Sequence, residues 1–150
     1  MNKKQRRTVG SIIKVPIDNF YIYGLILHET DIVFFDSKNF ENLSVNEIVE
    51  LPILFRVAAN SDAVLDGRWT KIGKIDLPEK FSVPVPRFIQ NEINPDKFEI
   101  YLGGQIRPAK KEECKDLERC AVWSVRHIED RIRDHYNNMP NVWVEQMRLK

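Results

Sequence analysis

LPILFRVAANSDAVLDGRWTKIGKIDLP, residues 51–78, is the stretch that decides the fold. Two runs of β-branched and aromatic residues, 53–59 and 68–75, flank a polar step at 60–66. Such side chains suit a pleated, half-buried surface, so the runs predict two strands. The step between them predicts a turn with room for one helical turn. Gly73 inside the second run marks a bulge. Trp69 opens that run and calls for burial of a large ring, with Arg56 and Arg68 placed to satisfy carboxylates beside it.

Toward the N-terminus the same strand chemistry repeats. Residues 10–17 and 20–29 predict two strands joined by the two-residue step Asp18-Asn19, which suits a tight hairpin. The second of these runs is apolar on both faces, so it belongs in the centre of a sheet covered on each side. Gly24 within it predicts a bulge or a close backbone approach. Residues 31–36 predict a third strand. Ser44 with Glu47 three residues on reads as a capping box, so a short helix is expected over 44–50, ended by Pro52. Residues 1–8 read as a flexible basic tail and 9–150 as one domain.

Toward the C-terminus the pattern changes. Four prolines within 76–95 predict an irregular crossing. Residues 98–102 predict a sixth strand, closed by Gly103-Gly104. A helix is expected over 111–120. Val125, Ile128, Ile132 and Tyr136 share one helical face, and Asn137-Asn138 with Pro140 stop that helix. Val142, Trp143, Val144 and Met147 add a last apolar patch. Strands first and helices last is the α+β order: a twisted, mostly antiparallel sheet of about six strands packed against C-terminal helices.

Composition narrows the function. The chain has 150 residues, a net charge of +1 and only two cysteines, Cys114 and Cys120. A chain of this length buries roughly 70% of its unfolded surface and holds a core without staples. Near-neutral charge argues against a dedicated nucleic-acid binder. Two cysteines do not make a disulfide framework, and no apolar run is long enough for a membrane helix, so a cytoplasmic protein with free thiols is expected.

No pattern of reactive residues stands out, and an enzyme is disfavoured. There is no G-x-S-x-G, Walker-type loop, dinucleotide fingerprint or H-E-x-x-H. His127 and His135 lie eight apart on one helix with Arg131 between them, which disfavours a metal. Cys114 and Cys120 have neither metal-ligand spacing nor a partner base. Glu129-Asp130 and Glu112-Glu113 read as solvated helix faces. No catalytic residue, cofactor or metal site is therefore assigned, and no oligomeric state.

Charge placement says more than charge total. Residues 29–50 carry six carboxylates against Lys38 alone, a balance of −5, while residues 1–28 stand at +4. A one-signed patch steers an oppositely charged partner. Lys and Arg from elsewhere in the fold would equally serve to neutralise it.

Four segments carry a resemblance. They are Tyr21-x-Tyr23-Gly24, the run 53–58 (ILFRVA), Gly67-Arg68-Trp69, and Ile72-Gly73-Lys74. Together, over roughly residues 9–90, they resemble the immunity protein 26 family. The resemblance implies a protein of toxin-producing bacteria that binds the C-terminal domain of its cognate polymorphic or contact-dependent toxin and blocks it. It implies no catalytic residue, no cofactor, no direct nucleic-acid contact and no membrane partner. Asp36, Phe40, Glu41, Glu47 and Glu50 are the expected toxin contacts. Where the toxin is a nuclease, its basic cleft would accept carboxylates in phosphate positions. The competing expectation is a small nucleic-acid-binding module that uses the basic tail and a β-surface.

Overall fold

Ile17 and Phe20 face each other across the Asp18-Asn19 turn, and Asp18 takes the left-handed conformation (φ 49°) that a tight hairpin needs. This hairpin starts the larger of two compact units in the computed structural model, which describes residues 2–150. The larger unit holds the described residues to Ser82 together with Val122–Arg133. Its elements are β1 (Ser11–Ile17), β2 (Phe20–Ile26), β3 (Asp31–Phe35), α1 (Val45–Ile48), β4 (Ile53–Ala59), α2 (Asp62–Leu65), β5 (Thr70–Lys74) and α3 (Glu79–Ser82). The smaller unit, Val83–Ala121 with Asp134–Lys150, holds β6 (Arg87–Gln90), β7 (Phe98–Leu102), β8 (Gln105–Ala109) and α4 (Lys111–Cys114). β9 (Val122–Trp123) returns to the larger unit, α5 (Val125–Tyr136) follows it, and α6 (Val142–Gln146) closes the smaller one.

The larger unit is built on a six-stranded sheet in the order β5-β1-β2-β3-β4-β9. All pairings are antiparallel except β4 with β9. Every residue of β3 is buried, as expected of a central strand covered on both faces. Gly24 faces Ile13 across the hairpin, and a Cβ there would sit 3.2 Å from the Ile13 side chain and the Val33 carbonyl. The glycine therefore serves a close approach and not a bulge. A true bulge occurs in β5, where Ile12 pairs with Gly73 and Ile13 with Lys71, leaving Ile72 as the extra residue.

Each face of the sheet has its own core. On one side Ile12, Leu25, Val33 and Phe35 meet Ile48 of α1, its C-cap Val49, and Phe81 of α3. On the other, Trp69 is fully buried and meets Phe34 edge-on, with ring centroids 5.6 Å apart. Arg131 of α5 stacks over Phe55 at 4.0 Å and over Trp123 at 5.0 Å. Burying one such aromatic ring contributes about 2–3 kcal/mol, so the rings account for a large part of the cohesion.

The α+β class and the six-stranded sheet agree with the sequence, but one strand is exchanged. Residues 98–102, expected as the sixth strand of that sheet, are β7 in the centre of a separate sheet, β6-β7-β8. Phe88, Phe98, Ile100 and Cys114 form the buried core of this smaller unit. The helix expected over 111–120 stops at Cys114. Beyond it, Glu118 and Cys120 exchange backbone hydrogen bonds with Phe88, so pairing with β6 overrides local helix preference.

Candidate functional site

Asp36, Phe40 and Glu41 lie in the loop that leaves β3, and Glu47 and Glu50 lie on α1 and at its exit. The five expected contact residues therefore divide between a loop and a helix. Glu47 has a structural task. Its Oε1 accepts from the Ser44 backbone N–H at 3.1 Å, and its own N–H donates to Ser44 Oγ at 3.2 Å, completing the expected capping box. Glu50 is exposed and lies 3.6 Å from Lys80 Nζ, so one charge of the acidic stretch is offset by a lysine from α3. Glu41 is exposed and acts on the neighbouring Tyr23 phenol. Asp36 is exposed, and its backbone N–H donates to the Pro52 carbonyl.

The loop between Phe35 and Phe40 is stitched to β2. Ser37 is completely buried; its Oγ accepts from Tyr23 N–H at 2.8 Å and donates to the Phe35 carbonyl at 2.9 Å. Tyr21 and Asn39 exchange two bonds, Tyr21 N–H to Asn39 Oδ1 and Asn39 N–H to the Tyr21 carbonyl. Both tyrosine hydroxyls then donate to one acceptor, the Phe40 carbonyl, at 2.9 Å from Tyr21 and 2.7 Å from Tyr23. Burial, with help from Tyr21 and Glu41, pushes the Tyr23 phenol up to about 12. Asn39 and Asn42 take left-handed conformations (φ 56° and 60°) on either side of Phe40-Glu41, a conformation asparagine tolerates better than most residues. The Phe40 side chain stays outside the core, with the residue 44% exposed.

A second polar assembly lies under the sheet. Glu129, assigned by sequence to a solvated face, is 6% exposed. It accepts from Arg68 Nε at 2.8 Å, from Arg68 Nη2 at 2.7 Å and from Trp69 Nε1 at 3.1 Å. Arg56 likewise pairs with the buried Asp31 at 2.8 Å. Glu129 is thus a carboxylate beside Trp69 of the kind that Arg68 was expected to meet. Arg68 also lines a cleft of about 300 Å³ with Asn60, Asp62, Asp66, Ser124 and Arg126. Charges of both signs meet there, and this side chain set does not form a nucleophile, base or oxyanion arrangement.

The expected basic tail is held in place from Gln5 onward. Gln5 donates through Nε2 to the Val64 and Trp69 carbonyls, accepts from Lys71 N–H at 2.8 Å, and donates its own N–H to the Leu65 carbonyl. Arg7 Nη2 donates to the Asp31 carbonyl at 2.9 Å. No sequence pattern announced these bonds, because the Gln5 side chain's partners lie 59 to 66 residues away and Asp31 lies 24 from Arg7.

Among the described residues, no group of three His, Cys, Asp or Glu side chains is placed to hold a metal ion, and no helix is long and apolar enough to cross a membrane. Cys114 packs in the smaller core, where burial raises its thiol pKa away from the reactive range.

Comparison with known proteins bears on the larger unit above all. A family model described as immunity protein 26 matches residues 8–99. No curated protein and no solved structure matches the chain.

Proposed function

The chain belongs to the immunity protein 26 family, and from that premise we propose that it neutralises a cognate bacterial toxin by binding the toxin domain and covering it. Family membership supplies an immunity role and a toxin as partner. Occlusion is the finer step. It needs a stiff body and one complementary surface, and it needs no reactive group.

The surface we assign is the segment 36–50. Its single strongest support is the loop around Phe40: an exposed aromatic ring on a backbone fastened at several points, with Asp36 and Glu41 beside it in sequence. A few rigid anchors at the centre of a contact, aromatics prominent among them, supply most of its binding energy, and a net charge of one sign around them speeds encounter. Toxin binding by this route takes place in the cytoplasm of the producing cell, before the toxin leaves it. Where the toxin acts on nucleic acid, Glu41 and Glu50 would meet the cations of its phosphate-binding cleft.

Co-expression with the cognate toxin domain tests the proposal. A stable complex and restored growth are expected. Reversal of Glu41 and Glu50 to lysine should weaken both with the melting curve unchanged. Glu47 is the wrong residue for that test, since its carboxylate caps α1. Unaltered toxin affinity in the Glu41→Lys, Glu50→Lys variant would remove this segment from the interface.

A further inference from the structure

An exposed turn of Ser, Lys and Asn should be among the most mobile parts of a small protein, yet residues 37–40 are not built that way. Ser37 is buried, Asn39 is tied to Tyr21 through both its backbone and its side chain, and the Phe40 carbonyl receives two hydroxyls. A carbonyl oxygen offers two lone pairs, and here both are used by side chains of one strand. The two phenol rings meet edge-on at 5.6 Å, and Lys14 Nζ lies 4.0 Å over the outer one. Each tyrosine thus has its ring packed as well as its hydroxyl committed. Two of these bonds converge on the backbone of one residue, the others order the turn that leads to it, and that residue stays 44% exposed.

We propose that Tyr21 and Tyr23 are positioning residues for toxin contact: their hydroxyls converge on the Phe40 carbonyl and hold the exposed ring in the geometry the toxin meets. The proposal rests on the assignment of residues 36–50 as the toxin-facing surface. Ordering a loop on binding costs affinity, and a loop ordered beforehand avoids that cost. The geometry also specifies the partner's side of the contact. A phenyl ring in a segment where Asp36 and Glu41 outnumber Lys38 fits an apolar pocket rimmed mainly by lysine or arginine. Such a pocket would accept the ring only if it arrives in one orientation, which is what the two hydroxyls supply.

Three variants separate the parts of this proposal: Phe40→Ala, Tyr21→Phe with Tyr23→Phe, and the three changes combined. The probe is the C-terminal domain of the cognate toxin, immobilised for surface plasmon resonance. Hydrogen exchange of the free protein reports the loop. Because most affinity changes within one interface appear in dissociation, the paired tyrosine variant should release toxin ~10-fold faster, and Phe40→Ala ~100-fold faster. The combined variant should match Phe40→Ala within about twofold, since the hydroxyls act through that ring. Loop amides of residues 37–41 should exchange faster in the paired variant while the sheet amides keep their protection. If the paired variant does not fold, Tyr21→Phe alone, at the more exposed hydroxyl, must still show faster loop exchange and faster release. Unchanged release in the tyrosine variants with a weakened Phe40→Ala overturns the positioning role and leaves the surface standing. Additive losses in the combined variant overturn it too. No effect of Phe40→Ala overturns both the surface and the positioning role.

Discussion

Arg68 and Glu129, sixty-one positions apart, form a two-pronged ion pair with bonds of 2.8 and 2.7 Å under the six-stranded sheet. The pair is lopsided. The Arg68 side chain is 52% exposed and the Glu129 side chain 8%. Removing the arginine strands a buried carboxylate, whereas removing the glutamate leaves a guanidinium that water can reach. Arg68→Ala should therefore destabilise more, by about 3 kcal/mol, because an uncompensated buried charge is the expensive half. Glu129→Ala should cost about 2 kcal/mol, largely for the orphaned Trp69 N–H. Urea melts of both variants check the order, and equal or reversed losses would contradict it.

Tyr23 gives the loop a pH limit. Its folded-state pKa is raised to about 12, against about 10 for a free phenol. A raised value in the folded state means that the neutral phenol is favoured there. The associated stability is complete below about pH 10 and is lost as pH climbs through 12. Phenolate absorbance should show a late-titrating component, and Tyr23→Phe should remove it. Wild-type protein should also lose loop protection between these pH values, before the sheet opens.

The N-terminal segment behaves as a strap. Gln5 bridges α2 and β5, and an added Cβ at Gly67 (φ 84°) would collide with the Lys3 carbonyl oxygen. Deletion of residues 2–7 should lower Tm by several degrees and shift tryptophan emission to the red as Trp69 gains water. A silent deletion would restore the picture of a loose tail and, with salt-sensitive RNA or DNA binding, would favour the nucleic-acid alternative.

Glu47 and Glu41 should part company. Glu47→Ala and Ser44→Ala each break the capping box and should cost about 1 kcal/mol of stability. Glu41→Lys should leave stability within about 0.5 kcal/mol, as exposed positions do, and should reduce toxin affinity. Paired thermal melts and binding curves check the split.

Most of the larger unit was legible because its central strands, β2 and β3, are largely apolar on both faces and its turns carry their own signals. The Asp18-Asn19 hairpin, the Ser44 box and the helix from Val125 to Tyr136 need no distant partner to be recognised. β6 was hidden by the prolines around it, and β8 by its exposed, proline-containing sequence; an edge strand is where a proline is tolerated. β9 is two residues of parallel pairing with β4, for which local sequence holds no signal. Glu129 was misplaced for the same reason: its partner is sixty-one residues away. Of the candidate site, the acidic run and Phe40 were visible as residues. The two hydroxyls that converge on the Phe40 carbonyl became visible only in three dimensions, because a hydrogen bond to a main-chain oxygen leaves no trace in residue type.

The decisive measurement is titration calorimetry of the purified protein against the C-terminal domain of its cognate toxin. A saturable complex with Kd in the nanomolar range, as natural interfaces of about 1,600 Å² commonly reach, weakened by Phe40→Ala, is the predicted result. No heat of binding at micromolar concentrations, with toxin activity undiminished by excess protein, would contradict the account.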